Sequence, residues 1–308
     1  MRIAVIGRTE MLLDAAEKVL AAGHEIPLVV TAREAPEYSR TSSDFAGLAE
    51  KAGAKFYNSP KINNLVEEIS QIPAMDIAIS VNYINVIAQP VIDLFRLGIL
   101  NAHGGDLPRY RGNACQAWAI VNGEDGVGLC IHKMAGGQLD SGDIIARERL
   151  DIGMDTRVGE ILAWMRSRIP ELFMQAVTTL DNDPSFVLEV QSKDPADALR
   201  CYPRMPSDGR VKWNAAPESI VRLINASSEP YPGAFCEFDE KRMTIWRAEI
   251  VEDPEVFLGL PGQVSSIERD GRVIVLCREG KIRLLEVEMD GDRSAPGTFV
   301  RSLRARLT

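Results

Sequence analysis

The sequence predicts an α/β protein, a doubly wound parallel sheet with helices on its faces, followed by a smaller β-rich, barrel-like domain. Three observations lead there. Short apolar runs alternate with helix-period segments through residues 1–194, the pattern of strands joined by crossover helices. From residue 195 the texture changes to short alternating runs broken by Gly, Asp and Pro. A length of 308 residues also exceeds one ordinary core and suits two domains. The expected division is residues 1–194 and 195–308.

The elements follow in order. RIAVIG reads as a buried strand, and Leu12, Ala15, Ala16, Val19 and Leu20 follow at helical spacing. AAGHEI ends that helix with a glycine, and IPLVVTA is a second strand. A helix over Phe45–Lys51, the strand AKFYN, a helix over Asn64–Gln71, the strand MDIAISVN, a helix over Val91–Arg96 and the strand GILNAH continue the alternation. GLCIHKM and DIIARERLDI are strand-like and flank the turn-rich AGGQLDSG. A long amphipathic helix then runs from about Thr156 to Leu180, with Ile161, Leu162, Met165, Ile169, Leu172, Phe173 and Ala176 as its apolar stripe. After YPRMPSDGRVKW and the helix PESIVRLINAS come FCEF, MTIWRAEIV, GQVSSIE, RVIVLC and KIRLLEVEM, the spacing of a small antiparallel β domain.

Composition narrows the function. The formal net charge is −9; residues 1–194 hold 18 basic against 26 acidic side chains and residues 195–308 hold 17 against 18. Neither part offers the basic surface that grips a nucleic-acid backbone, so no nucleic-acid partner is expected. No apolar run reaches the ~18–20 residues of a bilayer span, so no membrane partner is expected either. The first residues become charged too soon for a secretory leader, which makes the cytoplasm the expected location. The five cysteines form no C-x-x-C pair and are odd in number, which suggests reduced thiols rather than disulfides or zinc.

The strand–turn–helix at the N-terminus invites a dinucleotide reading, but the glycine fingerprint fails at Thr9 and Leu12. The helix start can still hold an anion, with Arg8 beside it. There are three histidines. His103 closes a buried strand, and Asn101, two residues earlier, projects to the same side. An amide donor beside an imidazole suits oxyanion stabilisation with proton transfer; capping of a strand end is the plainer alternative. Arg109 and Arg111 follow in a Gly/Pro-kinked loop, as phosphate contacts or as solvated charge. Asp140 is either a turn former or the group that orients His103.

The combination Asn101-Ala102-His103, Leu107-Pro108-Arg109-Tyr110-Arg111-Gly112 and Asp140-Ser141-Gly142-Asp143-Ile144 resembles the signature of the folate-dependent formyltransferases. Arg204, Asp208-Gly209, Trp213 and Pro230-Tyr231-Pro232-Gly233 resemble the start of the second domain in the two-domain members. Gly105 stands where the family usually has Ser, and Asp106 where it has Leu. Gly7-Arg8-Thr9-Glu10-Met11-Leu12 departs from the N-terminal loop of the tRNA-directed members, and Asn113-Ala114-Cys115-Gln116 from their Ala-x-Pro. HGGDLPRYRGNACQAWAI is more similar to the sugar N-formyltransferases, particularly those acting on GDP-perosamine.

The resemblance implies a Rossmann-like formyltransferase fold. It implies transfer of a formyl group from N10-formyltetrahydrofolate to the amine of a nucleotide-linked 4-amino-dideoxy sugar, GDP-perosamine first, for the O-antigen of lipopolysaccharide. Asn101, His103 and Asp140 fall on the catalytic trio, with no metal. Tyr83, Ile84, Gly136 and Asp140 would meet the cofactor, and Arg8, Arg111, Gly112 and Asn113 the nucleotide sugar. Pairing into a homodimer through the second domain is also implied. A methionyl-tRNA formyltransferase and a non-catalytic folate- or nucleotide-binding module are the alternatives.

Overall fold

The computed structural model describes residues 1–36 and 38–308. They form two compact units. The first comprises Met1–Cys115, Val127–Leu150 and Leu162–Tyr202; the second comprises Gln116–Gly126, Asp151–Ile161 and Pro203–Thr308.

In the first half of the chain the order is β1 (Ile3–Gly7), α1 (Glu10–Ala21), β2 (Leu28–Thr31), α2 (Ser42–Ala52), β3 (Lys55–Asn58), α3 (Val66–Ser70), β4 (Ile77–Val81), α4 (Gln89–Ile92) and β5 (Ile99–His103). Then come β6 (Arg111–Gly112), α5 (Cys115–Asn122), β7 (Gly126–Lys133), β8 (Ile144–Asp151), α6 (Val158–Asn182) and β9 (Arg200–Cys201). The main sheet has seven strands in the order β3-β2-β1-β4-β5-β7-β8. The ladders joining β1 to β5 are parallel, as expected.

Two local expectations need correction. The helix expected over Asn64–Gln71 is divided into a 3-10 turn at Ile62–Asn64 and α3, with Leu65 out of helical geometry between them. The helix expected over Val91–Arg96 sits earlier, as α4, because Pro90 is suited to a first helical turn. The sheet is also not wholly parallel: β7 runs antiparallel to β5, with Asn101 opposite His132 and His103 opposite Cys130. A strand covered on both faces reads as one apolar run whichever way it points, so periodicity did not carry this direction.

The sheet is apolar on both faces. Ala4, Ile6, Leu28, Val30, Ala78 and Ile99 pack with Ile62, Ile69, Val91 and Phe95 on one side. Leu12, Leu13, Ala15, Ala16 and Val19 of α1 are buried, and the stripe of α6 buries Ile161, Met165, Ile169, Leu172, Phe173 and Ala176. This rigid frame ends at the carboxyl edge of β4 and β5, where open α/β sheets bind ligands.

The second unit contains α7 (Pro217–Ser227), β10 (Ala234–Phe238), β11 (Lys241–Val251), β12 (Val264–Ile267), β13 (Val273–Cys277), β14 (Gly280–Met289) and β15 (Asp292–Ser294). Its sheet runs β10-β11-β14-β13-β12, with β15 also on β14. Trp213, Ile220, Val221, Ile224, Met243, Ile245, Val275, Ile282 and Leu284 lie in its core. No strand ladder among the described residues joins β10 to β12, so the barrel-like expectation extends only to a β-rich antiparallel sheet. The last residues of the chain cover both edges instead. Thr308 exchanges backbone hydrogen bonds with Glu237 on β10, while Leu307 bonds to Gly262 and Val264 to Ala305 beside β12. An unpaired edge is a template for aggregation, and one tail protects two of them.

Among the described residues no helix is long and apolar enough to cross a membrane. The five cysteines are free and buried. Phe173, fully buried on α6, sets a test of the first core. Phe173→Ala is expected to lower unfolding free energy by about 3–5 kcal/mol, read from urea denaturation followed by circular dichroism.

Candidate active site

The site is built where β5 ends. Asn101 and His103 lie two residues apart on that strand and share one side of it, and the antiparallel register places His132 of β7 directly opposite Asn101. The loop between β7 and β8 then brings Asp140 onto the same spot. Asp140 has φ of 47°, a left-handed conformation that Asp tolerates better than most residues.

The four side chains form one chain of contacts. Asn101 Nδ2 is 3.2 Å from His132 Nε2. His132 Nε2 is 3.5 Å from Asp140 Oδ1, and Asp140 Oδ2 is 3.6 Å from His103 Nδ1. The Gly112 backbone N–H donates to Asp140 Oδ2 at 2.9 Å. His103, His132 and Asp140 are only 8%, 2% and 10% exposed at their side chains.

The hydrogen bonds assign the tautomers. His103 Nε2 donates to the Tyr110 carbonyl at 2.7 Å, which leaves Nδ1 facing the carboxylate. His132 Nδ1 donates to the Lys133 carbonyl at 2.9 Å, which leaves Nε2 to accept from Asn101 and to face the same carboxylate. In the neutral state two imidazole lone pairs therefore point at one negative group. A proton added at His103 Nδ1 turns its contact with Asp140 into a buried ion pair.

The titration shifts follow from this packing. Burial presses the His103 pKa below its ordinary 6.5, while Asp140 pulls it partly back. Burial works to raise the Asp140 pKa, but His103, His132 and the Gly112 N–H together prevail and hold the carboxyl below the usual carboxylate range. The result is an ionised carboxylate beside an imidazole poised to be neutral.

The loop after β5 is held by contacts that the sequence pattern did not reveal. Arg147 on β8 pairs with Asp106 at 3.2 Å and with Glu189 at 3.2 Å, and it also donates to the Leu107 carbonyl. The Tyr110 carbonyl receives the Cys115 thiol at 2.9 Å as well as His103. Gly105 permits this closeness: a Cβ there would lie 2.4 Å from the Tyr110 oxygen and 2.5 Å from His103 Nε2.

The other expected site residues are dispersed in their duties. The Tyr83 hydroxyl donates to the Ser59 carbonyl and accepts the Ile62 N–H, so it ties loops together. Ile84 is 47% exposed. The Gly136 N–H meets Gln89 Oε1. Arg8 donates to the Asn82 and Arg33 carbonyls. Arg111 donates to Gln191 Oε1 at 2.8 Å and to the Ser192 carbonyl at 3.2 Å. Gly112 serves Asp140, and the Asn113 N–H bonds to the Cys201 carbonyl. Among the described residues no cluster suited to a metal ion is found.

An amide, two imidazoles and a carboxylate thus meet at the carboxyl end of β5 in an α/β fold. Residues 1–177 match the formyl transferase family model, and residues 204–304 match the model of the formyl transferase C-terminal domain. The chain belongs to the formyltransferase family.

Solved structures share its fold. WlaRD, a sugar 3N-formyl transferase solved with dTDP and 5-N-formyl-THF, aligns at TM-score 0.66 and 16% identity over 95% of this chain and 98% of its own. The N-formyltransferase from Helicobacter canadensis, in complex with folinic acid and dTDP-3-aminofucose, aligns at 0.67 and 14% over 92% and 98%. HypX from Aquifex aeolicus, in complex with tetrahydrofolic acid, aligns at 0.62 and 20% over 97% of this chain but 46% of its own, so the chain spans about half the length of HypX.

Gly105 provides the test of the packing around His103. Gly105→Ser is expected to destabilise the protein by roughly 1–3 kcal/mol through overpacking. Chemical denaturation measures the loss, and histidine NMR reports displacement of the His103 ring. An unshifted ring with full stability would contradict the close approach.

Proposed function

We propose that the protein transfers the formyl group of N10-formyltetrahydrofolate to the amine of a nucleotide-linked 4-amino-dideoxy sugar, with GDP-perosamine as the acceptor and O-antigen assembly in the cytoplasm as the setting. On this reading residues 1–194 form the catalytic domain and residues 195–308 the β-rich accessory domain. The observation that carries it is the convergence of Asn101, His103 and Asp140 at the end of β5. The sugar-directed enzymes among the structural relatives, both solved with folates and dTDP ligands, support the acceptor class.

The residues present fit a folate. Ile84 (47% exposed), Val86 (59%) and Leu139 (37%) are large apolar side chains left open on the loop after β4 and beside Asp140. The Gly136–Gln89 contact ties those two loops together. Exposed apolar surface rimmed by polar groups suits a flat heterocycle such as the pterin. When bound, the folate supplies the formyl carbon on N10.

The chain's own groups do the rest. The Asn101 amide, held by His132, directs an N–H at the formyl oxygen as negative charge develops there. His103 is neutral in its buried setting and accepts the proton of the attacking amine, or carries it to the leaving nitrogen. Asp140, facing Nδ1, stabilises the charged form of the imidazole, while the Tyr110 carbonyl holds the ring. The loop bearing Gly105 and Tyr110 excludes water from the far side of the ring.

Asn101→Ala and His103→Ala are each expected to lower kcat by about 100-fold or more while circular dichroism stays unchanged. Near-normal turnover in either variant overturns the assignment. Because His103 acts in its neutral form, kcat/KM is expected to rise with pH through its folded pKa and to level off, with the midpoint below 6.5. Product mass spectrometry with GDP-perosamine, a dTDP-amino sugar and charged initiator tRNA tests the acceptor. Formylation of the tRNA alone would replace the sugar reading.

A further inference from the structure

We propose that Arg200 and Tyr202 form the seat for the nucleoside diphosphate of the acceptor, Arg200 on the phosphates and Tyr202 under the base. This rests on the nucleotide-sugar reading above and deepens it.

The backbone places these residues beside the catalytic cluster. β9 pairs in parallel with β6, Arg111 opposite Arg200 and Gly112 opposite Cys201. Gly112 is the residue whose N–H holds Asp140. Its φ of 113° and its packing are possible only without a side chain, since a Cβ would lie 2.3 Å from the Cys201 carbonyl and 3.1 Å from Arg200 Nη1. The Arg200 guanidinium therefore lies directly over the segment that secures the catalytic carboxylate. Its Cζ is in turn 5.3 Å from the Tyr202 ring centroid.

Charge and exposure single out this pair. Arg8 and Arg111 are engaged with protein carbonyls and an amide, and Arg147 with Asp106 and Glu189. Arg200 is exposed, and among the described residues it has no carboxylate partner. Tyr202 is 65% exposed, and no other aromatic ring among the described residues is as open to solvent. A guanidinium stacked on an open ring, with no anion of its own, is a ready receptor for a phosphate joined to a flat base. The order outward from the catalytic centre is Asp140, Gly112, Arg200, Tyr202. The order along the acceptor is amine-bearing sugar, diphosphate, nucleoside. Arg200 and Tyr202 thus follow the catalytic centre as the diphosphate and nucleoside follow the sugar.

Base–aromatic stacking and guanidinium–phosphate pairing each support a definite loss on removal. Isothermal titration of the full chain with GDP tests the seat, with 5-formyltetrahydrofolate as the second ligand. Tyr202→Ala and Arg200→Gln are each expected to weaken GDP by roughly 10- to 100-fold, Tyr202→Phe to stay near wild type, and folate affinity to be unchanged in all three. GDP binding at wild-type strength in both Tyr202→Ala and Arg200→Gln would overturn the seat and leave the sugar-nucleotide function standing. A wild-type protein that binds folate but neither GDP, dTDP nor UDP would overturn both.

Discussion

A carboxylate buried against two imidazoles governs this protein's functional half. Asp140 loses most of its hydration, and an isolated buried charge would be neutralised by uptake of a proton. It stays ionised because the Gly112 N–H donates to it and positive charge on the neighbouring imidazoles favours its charged form. Each of those partners must then be held in place by its own neighbours. The Tyr110 carbonyl fixes His103, and the Lys133 carbonyl and Asn101 fix His132. The β6–β9 pairing fixes Gly112.

That requirement explains features which otherwise look unrelated. The switch to an antiparallel strand at β7 is what sets His132 opposite Asn101. The Asp106–Arg147 pair stiffens the loop that carries the Tyr110 carbonyl. Gly105 is small because the imidazole and that carbonyl meet where its side chain would be. The return of the chain at residues 200–201 keeps the first unit whole as far as Tyr202 and gives Gly112 its partner. The second unit packs a core of its own, with Ile220, Val221 and Ile224 of α7 among its residues.

Much of this was legible in the sequence, and the limits have physical causes. Alternating apolar runs gave the strands and helices, because burial imposes period on residues close in the chain. Asn101 and His103 were legible as a pair, since two residues apart on a strand means one side. Asp140 needed the family pattern, because a turn aspartate and an orienting aspartate look alike without the fold. His132 was hidden in an apolar strand; its meaning comes from register with a strand 31 residues away. Asp106 read only as a departure from the family until its partner Arg147, 41 residues on, came beside it. Arg111 was chosen for its charge, and its hydrogen bonds to Gln191 and Ser192 lie too far along the chain for spacing to reveal.

The central claim is that the Asp140 charge sets the proton affinity of His103. Titrating ring-labelled histidine by NMR in the wild-type chain and in Asp140→Asn measures this directly. The account predicts a His103 midpoint below 6.5 in the wild type that moves lower still without the carboxylate, since Asp140 is the group that pulls it upward. An unchanged midpoint, with the fold intact, would contradict it.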